Sequence, residues 1–536
     1  MLGLALSAAV WLLPPAVLPV PSRSGPEGPP RPYGAVPPFG GSPTHTDRKL
    51  ARAQSRALRY GPFPRGGLVR GVSDGTLLLS ADASVRALAL TRIAQTGSTT
   101  VRIPVDWRTI VAGDPPATFQ ARDPTSTSYN FTRLDASVRS AVAAGLEPLL
   151  VVSHAPAFAE APNRWPFAFP GSWAPSPAAL EAFAEALARR YDGSFADPLH
   201  PGGALPRVDL FQGWNEPNLA RYLEPQWVVS EGRWSAFSPL LYRELLDAFY
   251  RGVKSVQPSA RVIAAGLAPD GDPAGVGRMA PVSFLRALLC LPANPRSKPP
   301  SCPEPARFDV LAFHPLSVGS PDAPADFSVD VAISDAAKVT RLLRAAQRLG
   351  TAQPAAVKPV WVTELNWESA PQSSSGVPPS RQAQWISRAL HRLWVAGVSL
   401  VQWQFLIDPF PSLRAATPTG GGLEYKRPAG LYSAALDGNP QAATPKAFLR
   451  GFTFPFDPLR LDAGHVRIWG LTMRPSQPVL VQRRRAATWR TVARGRADRF
   501  GVLNFLVPLR GGATLRLKSG SLTSAAAVVS RYRGRG

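Results

Sequence analysis

Eight short apolar runs, separated by amphipathic stretches, constrain the fold of this chain more than any other feature of its sequence. Each run has the length and the nearly continuous apolar character of a strand that is buried on both faces of a parallel sheet. The stretches between the runs have a helical period, and several of them end at glycine, which is typical of helix C-termini. The predicted strands lie at 67–72, 99–105, 147–153, 208–214, 261–266, 308–314, 359–365 and 399–405, and predicted helices lie at 134–145, 178–191, 242–256, 334–350 and 380–397.

The alternation of eight strands with helices favours a closed α/β barrel over an open doubly wound sheet. No glycine-rich phosphate-binding motif follows the first run, which argues against a dinucleotide-binding fold. After residue 451 the helical period is lost, and short alternating runs separated by turn residues indicate antiparallel strands. The predicted fold class is therefore α/β, a (β/α)8 TIM barrel at 66–450 followed by a small C-terminal antiparallel β-sandwich with a basic tail at 451–536.

The first 65 residues have a different composition from the barrel. Residues 1–20 are apolar and uncharged but contain three prolines, which would interrupt a spanning helix. We predict a signal peptide or leader there and a secreted protein, with a retained membrane anchor as the alternative. Residues 21–65 are predicted as a Pro/Gly-rich lead-in.

The net charge of +24 raises the question of anionic partners. From residue 481 onward, thirteen Arg and Lys residues stand against the single acid Asp498. We expect no nucleic-acid partner, because no nucleic-acid-binding motif is present. Contact with a cell wall or an acidic polysaccharide stays open. For the C-terminal segment itself, packing against the barrel is the preferred role and carbohydrate contact the alternative.

The chain has only two cysteines, Cys290 and Cys302, and they lie on either side of a Pro-rich loop. In an exported protein this arrangement favours a disulfide, and the alternative is two unrelated thiols. No histidine or further cysteine accompanies them at a metal-ligand spacing, so we predict no metal site there.

Two acidic residues stand at the carboxyl ends of predicted strands, where barrel enzymes have their active sites. Glu216 directly follows the fourth strand, and Glu364 ends the seventh. Cleavage of a glycosidic bond with retention of configuration needs two carboxyl groups, one to protonate the leaving oxygen and one to attack the anomeric carbon. The alternative for each residue alone is a structural ion pair at a strand end.

These two acids lie in the strings GWNEPNL (213–219) and VWVTELNWES (360–369), which resemble motifs of the clan A glycoside hydrolases. The resemblance covers about residues 66–450 and is greatest to glycoside hydrolase family 39, with family 5 cellulases next. It implies that Glu216 is the general acid/base, that Glu364 is the nucleophile, and that Asn215 donates a hydrogen bond to the sugar 2-hydroxyl. Such a bond strengthens as the oxocarbenium-like transition state develops.

The resemblance also implies further pocket residues. Arg102 stands where the clan has an arginine that steadies the nucleophile, and its alternative is an ion pair across the barrel. His154 and His314 fall at positions that line the sugar pocket, and a structural hydrogen bond is the alternative for each. Where the clan commonly has a tyrosine two residues after the sixth-strand histidine, this chain has Leu316.

Trp403 on the eighth strand is predicted to stack on a sugar face, with core packing as the alternative. Five further tryptophans are candidates to extend the cleft, namely Trp107, Trp165, Trp173, Trp367 and Trp385.

Together these features predict a retaining glycoside hydrolase that cleaves O-glycosidic bonds of a β-linked oligo- or polysaccharide by double displacement. The alternatives are a transglycosylase, a noncatalytic carbohydrate-binding barrel, and an adhesion protein that binds through its charge. The mechanism requires no metal and no cofactor. The identity of the sugar, exo or endo action, and the oligomeric state do not follow from the sequence.

Overall fold

Eight parallel strands form a closed barrel in the computed structural model, which describes residues 45–111, 113–292, 298–317, 319–409 and 427–531. Every predicted strand is present, and each pairs with its neighbours in chain order until the eighth pairs with the first. The barrel predicted from the sequence is therefore confirmed. Its strands are β1 (Val69–Ser73), β2 (Thr100–Asp106), β3 (Glu147–Ser153), β4 (Leu210–Gly213), β5 (Arg261–Leu267), β6 (Val310–Phe313), β7 (Val360–Leu365) and β8 (Val398–Gln404).

Helices surround the barrel, and the five helices predicted from the sequence are among them. Gly350 takes a left-handed φ of 73° at the C-terminus of one of these helices, as the glycine pattern predicts. In the described part of the chain the helices are α1 (His45–Tyr60), α2 (Gly75–Leu78), α3 (Ala83–Gln95), α4 (Trp107–Ile110), α5 (Thr132–Ala143), α6 (Pro177–Arg190), α7 (Ser238–Val256), α8 (Pro281–Leu288), α9 (Ala337–Leu349), α10 (Pro379–Val395) and α11 (Ala447–Thr453), with short 3₁₀ turns at Ala157–Ala159, Ile333–Asp335 and Pro440–Ala442. None of these helices is long and apolar enough to span a bilayer.

The barrel interior is filled by apolar side chains from alternate positions of its strands. They form one buried cluster of Leu149, Val151, Leu210, Ile263, Val310, Ala312, Trp361 and Leu400. Such layers make the interior a packed core rather than a channel. Polar side chains at the carboxyl ends of the strands therefore lie above an apolar floor.

Within the described residues, three short strand pairs lie outside the barrel. Two of them join distant segments, Ala306–Arg307 with Ala352–Gln353 and Tyr432–Ser433 with Thr444–Pro445. The third is a hairpin of Trp227–Ser230 and Arg233–Ala236 in the connection after β4. Because this connection leaves the carboxyl end of β4, the hairpin belongs to the loops on the side of the barrel where Glu216 lies.

The chain after the barrel forms two antiparallel sheets, as predicted. The first has the order β9-β10-β13, and the second has the order β12-β11-β14-β15, with β16 also paired to β14. The arrangement as a β-sandwich stays a prediction, supported by one hydrophobic cluster to which side chains of both sheets contribute. These strands are β9 (Phe456–Arg460), β10 (His465–Leu471), β11 (Pro478–Arg485), β12 (Thr488–Arg496), β13 (Val502–Pro508), β14 (Ala513–Ser519), β15 (Leu522–Thr523) and β16 (Ala527–Val529).

A buried charged network joins the first of these sheets to α10. Asp457 on β9 accepts hydrogen bonds from Arg388 Nε at 2.9 Å and His391 Nδ1 at 2.6 Å. Burial would raise the pKa of Asp457, but the Arg388 charge and the His391 hydrogen bond hold this pKa below its usual value. Burial lowers the pKa of His391, whose ring stacks on Trp469 at a centroid distance of 4.5 Å. The network therefore pairs an ionised Asp457 with a neutral His391.

We expect Asp457→Asn to destabilise the protein by about 2 kcal/mol, because Arg388 then loses a buried charge-assisted hydrogen bond. The folded-state pKa of Asp457 is lowered, so its contribution is present above the unfolded-state pKa and is lost as the pH falls through the folded-state value. Urea unfolding at neutral and at acidic pH measures both effects. The control is Asp462→Asn, since Asp462 is exposed and its contact with His465 lies at the surface. Equal stability of the two variants would contradict the assignment.

The N-terminal boundary differs from the sequence interpretation. Helix α1 lies inside the segment 21–65 that was predicted as a lead-in, and its end is tied down by a hydrogen bond from the Tyr60 hydroxyl to the Leu461 carbonyl at 3.3 Å. The Pro/Gly-rich composition ends before this helix. The composition of the whole segment 21–65 therefore does not indicate the helix at its C-terminal end. The leader predicted at 1–20 lies outside the described residues.

The disulfide and the C-terminal domain boundary can be compared directly with the sequence predictions. Cys290 and Cys302 are joined by a disulfide, which confirms that prediction. The predicted domain boundary after residue 450 falls within α11. Phe448 and Phe452 of α11 belong to the barrel core, whereas Phe454 belongs to the cluster between the two C-terminal sheets.

Candidate active site

The carboxyl groups of Glu216 and Glu364 meet at the carboxyl ends of β4 and β7. One oxygen of each residue and one ring nitrogen of His314 lie within 4.8 Å of one another. Each glutamate is only 3% exposed, and His314 is fully buried. Barrel closure thus brings together two acids that are far apart in sequence, as the sequence predicts.

Arg102 links the two strings that contain these acids. Its Nη1 lies 2.8 Å from Glu364 Oε1, and its Nη2 donates a hydrogen bond of 2.6 Å to Asn215 Oδ1. Arginine stays protonated even when buried, so the guanidinium is a permanent cation beside Glu364 and stabilises the ionised carboxylate. The same contact turns Asn215 so that its oxygen faces the arginine and its amide NH2 group points elsewhere. The structure thus places Arg102 beside the Glu364 carboxylate and the Asn215 side chain beside Arg102.

His314 contacts the other acid. Its Nδ1 lies 2.9 Å from Glu216 Oε1, its Nε2 lies 2.9 Å from the Thr363 hydroxyl, and Glu364 Oε2 is 3.9 Å from Nδ1. Burial, which outweighs the opposing charge of Glu364, lowers the pKa of His314 to about 4. The imidazole is therefore neutral at neutral pH, with one N–H to share between Glu216 and Thr363.

The backbone around the site is held in conformations that side chains rarely adopt. Non-glycine residues with positive φ occur after β3, after β4 and in β5, namely His154 (56°), Trp214 (82°), Glu216 (41°) and Ala265 (71°). Such conformations cost about 1 kcal/mol or more each and persist where surrounding contacts determine them. Here the Trp214 indole donates to the Tyr222 carbonyl at 2.8 Å, and the Glu216 amide donates to the Gly266 carbonyl at 3.2 Å.

Two residues that sequence reasoning missed hold the strand ends in register. The Tyr242 hydroxyl on α7 donates to the Gly213 carbonyl at 2.6 Å and accepts from the Ala265 amide at 2.6 Å, which ties β4 to β5.

The Asn218 side chain donates to the Ala268 and Met279 carbonyls and accepts from the Ala268 amide. Neither residue lies on a strand, and no local pattern marks either of them. Thr363 was also missed, although it immediately precedes Glu364.

The structure corrects the position predicted for Trp403. Its side chain is fully buried, donates to the Ala429 carbonyl at 3.1 Å, and packs against Phe448 at a centroid distance of 5.1 Å. Its neighbour Gln402 instead bonds Thr100 of β2. Because successive residues of a strand point to opposite sides, Trp403 faces the helices rather than a sugar pocket, which is the core-packing alternative.

His154 lies near the site but is not joined to the two glutamates by any contact in the described part of the chain. Its Nδ1 is 3.0 Å from the Ser153 hydroxyl and 3.8 Å from Asp106 Oδ2. Burial lowers the pKa of His154 to about 4, against the opposing effect of Asp106. His154 is therefore a neutral side chain at the rim, and its role in binding stays a prediction.

Three of the five tryptophans that are candidates to extend the cleft pack against other aromatic rings. Trp107 is buried and stacks on Phe183, and Trp367 is buried against Phe448. Trp385 packs edge-on against Trp367. Trp165 and Trp173 lie half-buried in the connection after β3. Large apolar rings fill the space between barrel and helices, and the sequence pattern does not separate that use from sugar stacking.

The donor atoms of Glu216, His314 and Glu364 are also of the types that bind a divalent metal. Three contacts argue against a metal ion at this position. The guanidinium of Arg102 places a positive charge 2.8 Å from Glu364, and His314 is already bonded to Glu216 and Thr363. A second cation at this position would be repelled by Arg102.

Comparisons with known proteins return structural neighbours only. No protein-family model and no curated protein matches the chain. Among solved structures, a family 39 glycoside hydrolase from the gut symbiont Bacteroides cellulosilyticus matches with a TM-score of 0.47 and 16% identity over 83% of this chain and 81% of that one. A family 39 β-xylosidase from Caulobacter crescentus matches with a TM-score of 0.43 and 15% identity over 84% and 96%. Cel5A of Thermotoga maritima, solved with mannotriose, matches with a TM-score of 0.39 and 13% identity over 74% and 99%.

Proposed function

We propose that this protein is a retaining glycoside hydrolase, with Glu216 as general acid/base and Glu364 as nucleophile. The observation that carries the proposal is that one carboxyl oxygen of Glu216 and one of Glu364 lie within 4.8 Å of each other at the carboxyl end of the barrel. Retaining enzymes place these groups about 5 to 5.5 Å apart, whereas inverting enzymes need about 6.5 to 9.5 Å to admit a water molecule. The substrate class is an O-glycosidic bond of a β-linked oligo- or polysaccharide.

In the first step Glu216 gives its proton to the glycosidic oxygen while Glu364 attacks the anomeric carbon, which forms a glycosyl ester and releases the aglycone as an alcohol. In the second step Glu216 takes a proton from water, and the resulting hydroxide displaces Glu364. Arg102 supports the first step because its charge keeps Glu364 ionised before attack. Asn215, oriented by Arg102, supplies a donor for the sugar 2-hydroxyl.

His314 suits both protonation states of Glu216. When Glu216 is a carboxylate, His314 Nδ1–H donates to it and Nε2 accepts from the Thr363 hydroxyl. When Glu216 holds its proton, the other tautomer accepts that proton's hydrogen bond at Nδ1 and donates from Nε2 to Thr363. The low pKa of His314 keeps the ring neutral, as this exchange of roles requires.

Further contacts bear on the alternatives to hydrolysis, on the length of the substrate and on export. A noncatalytic barrel has no need to keep Arg102 in contact with both Asn215 and Glu364, or Glu216 close to Glu364. Transglycosylation would use the same residues with a sugar hydroxyl in place of water. In the loop after β3, Phe167 is 73% exposed and packs edge-on against Trp165, which suits a substrate longer than one sugar. The disulfide supports the proposed export to an oxidising compartment.

The stereochemistry of the first-formed product tests the mechanism. We expect the sugar released from an aryl β-glycoside to appear first as the β-anomer, followed by slower mutarotation, in proton NMR spectra recorded during hydrolysis. A panel of aryl β-glycosides identifies the sugar that is turned over. The α-anomer as first product would exclude the retaining mechanism. If no glycoside is turned over, and if glycan binding is unchanged in Glu216→Ala and in Glu364→Ala, the noncatalytic barrel would be favoured.

A further inference from the structure

The second C-terminal sheet has one face that covers apolar side chains and one that does not. On β11, Val479 and Val481 are buried in the cluster shared with the first sheet, and on β14 Leu515 and Leu517 are buried there. The first sheet carries the contacts to α10 through Asp457 and Trp469, so the second sheet lies beyond it. The opposite face of the second sheet is therefore turned away from the barrel.

Side-chain alternation and register identify the residues on that outward face. Because directly opposed residues share a face, Arg484 stands with Trp489, and Leu480 stands with both Arg494 and Lys518. Arg516 is opposed to Gln482, and Arg496 to Pro478. Five cations thus lie on one face of three adjacent strands, Arg484, Arg494, Arg496, Arg516 and Lys518, which we call the basic face.

The basic face has no acidic counterpart. The strands β11, β12 and β14 contain no Asp or Glu, and in the described part of the chain no carboxylate pairs with any of the five cations. Arg484, Arg496 and Arg516 make hydrogen bonds only to neutral groups, the Ala486 carbonyl, the Ser476 carbonyl and the Gln482 amide oxygen. The nearby acid Asp498 instead accepts hydrogen bonds from the amides of Phe500 and Val502.

The basic face lies in the C-terminal part of the chain, where positive charge is concentrated. Residues 481–536 supply half of the net charge of +24, although they are about a tenth of the chain. Neighbouring strands lie about 4.8 Å apart, so the cations on β12, β11 and β14 form a compact array on this face. Such an array attracts a polymer that carries repeated negative charges. A packing role alone does not require these charges, because the packing surface is the opposite face.

We propose that the basic face binds an acidic polysaccharide whose sugars carry carboxylate or sulfate groups. The choice of a polysaccharide rests on the proposed function, since a glycan-cleaving barrel on the same chain would be held at its polymer. The face itself is a poorer surface for single-stranded nucleic acid, which needs exposed rings for base stacking. Trp489 is the sole aromatic residue on β11, β12 and β14, and the Arg516 guanidinium lies over its ring at 4.2 Å.

The test measures binding of the full chain to polygalacturonate and to an uncharged β-glucan by affinity electrophoresis at physiological ionic strength. The triple variant Arg484→Gln/Arg494→Gln/Lys518→Gln should bind polygalacturonate about tenfold more weakly than wild type, since each lost contact is a modest surface charge interaction. The control Arg133→Gln/Arg344→Gln/Arg348→Gln removes the same charge from exposed positions on α5 and α9 and should bind like wild type. The uncharged glucan should show no difference between the three proteins.

Equal binding by wild type and the triple variant, or equal weakening in the control, would overturn the proposal. Tighter binding of a single-stranded homopolynucleotide than of polygalacturonate, lost in the triple variant, would assign the basic face to nucleic acid instead. Hydrolysis of a soluble aryl β-glycoside is measured in parallel and should be the same in all three proteins. If the wild-type protein hydrolyses aryl β-glycosides but does not bind polygalacturonate, this inference alone is removed. If the wild-type protein binds polygalacturonate but hydrolyses no glycoside of the panel, the proposed function is removed.

Discussion

Replacement of Glu364 by alanine should lower kcat/KM for aryl β-glycosides by about 10⁵-fold, because the proposed mechanism assigns formation of the covalent intermediate to the Glu364 carboxylate. Arg102 would then lose the carboxylate that lies 2.8 Å from its Nη1, while Asn215 would keep its hydrogen bond. Added azide should restore turnover, since it fits the space left by the side chain and attacks from the same side. The product should be a glycosyl azide of inverted configuration, identified by NMR.

The matched control is Glu368→Gln, four residues further along the chain in the connection after β7. Glu368 forms an ion pair with Arg427 at 2.8 Å and accepts a hydrogen bond from the Ser373 hydroxyl. These contacts are separate from those of Glu364. Its variant should keep kcat/KM within a few-fold of wild type. If Glu368→Gln loses activity as severely as Glu364→Ala, or if azide restores nothing in Glu364→Ala, Glu364 is not the nucleophile.

Replacement of Glu216 by alanine should have an effect that depends on the leaving group. For leaving groups that need protonation, kcat should fall by about 10³-fold, the usual contribution of general acid catalysis. For a 2,4-dinitrophenyl glycoside, which departs without a proton, formation of the covalent intermediate should remain fast and its hydrolysis should become rate-limiting. Azide should accelerate that second step and give a glycosyl azide of retained configuration.

The control for this variant is Glu231→Gln, which changes an exposed acid in the same connection after β4. It should leave the rate for every leaving group unchanged. A loss in Glu216→Ala that is equal for good and poor leaving groups would show that Glu216 is not the proton donor. The configuration of the two azide products, inverted for Glu364→Ala and retained for Glu216→Ala, separates the two roles in one experiment.

Much of the site was predictable because barrel topology converts a position in sequence into a position in space. Glu216 follows β4 and Glu364 lies near the end of β7, and all eight strands end at the same rim, so residues at their ends converge. Arg102 lies within β2 rather than at its end, and it was the resemblance to the clan A glycoside hydrolases that marked this residue. The contact of His314 with Glu216 was not predictable, because it depends on side-chain direction just beyond the end of β6.

Trp403 shows the limit of this reasoning most clearly. It lies on β8 between Gln402 and Gln404. Successive side chains of a strand alternate between its two sides, so Trp403 points to one side of the barrel wall and the two glutamines point to the other. Gln402 bonds Thr100 of β2, and Gln404 accepts from Asn366 at 2.7 Å, which leaves Trp403 on the helix side. The apolar run is equally compatible with both orientations, since strands of a parallel barrel are buried on both faces.

The sequence by itself determined the eight strands, the helices between them, the antiparallel character of the C-terminal region, the disulfide and the pair of acids at the barrel rim. These properties depend on local periodicity, on spacing along the chain and on the fact that parallel strands share an end. Tertiary structure alone decided that Trp403 packs outward, that Thr363 and Tyr242 support the site, and that five cations share one outward face. Those outcomes depend on strand register and on contacts between residues distant in sequence, which packing selects from orientations that the chain permits equally.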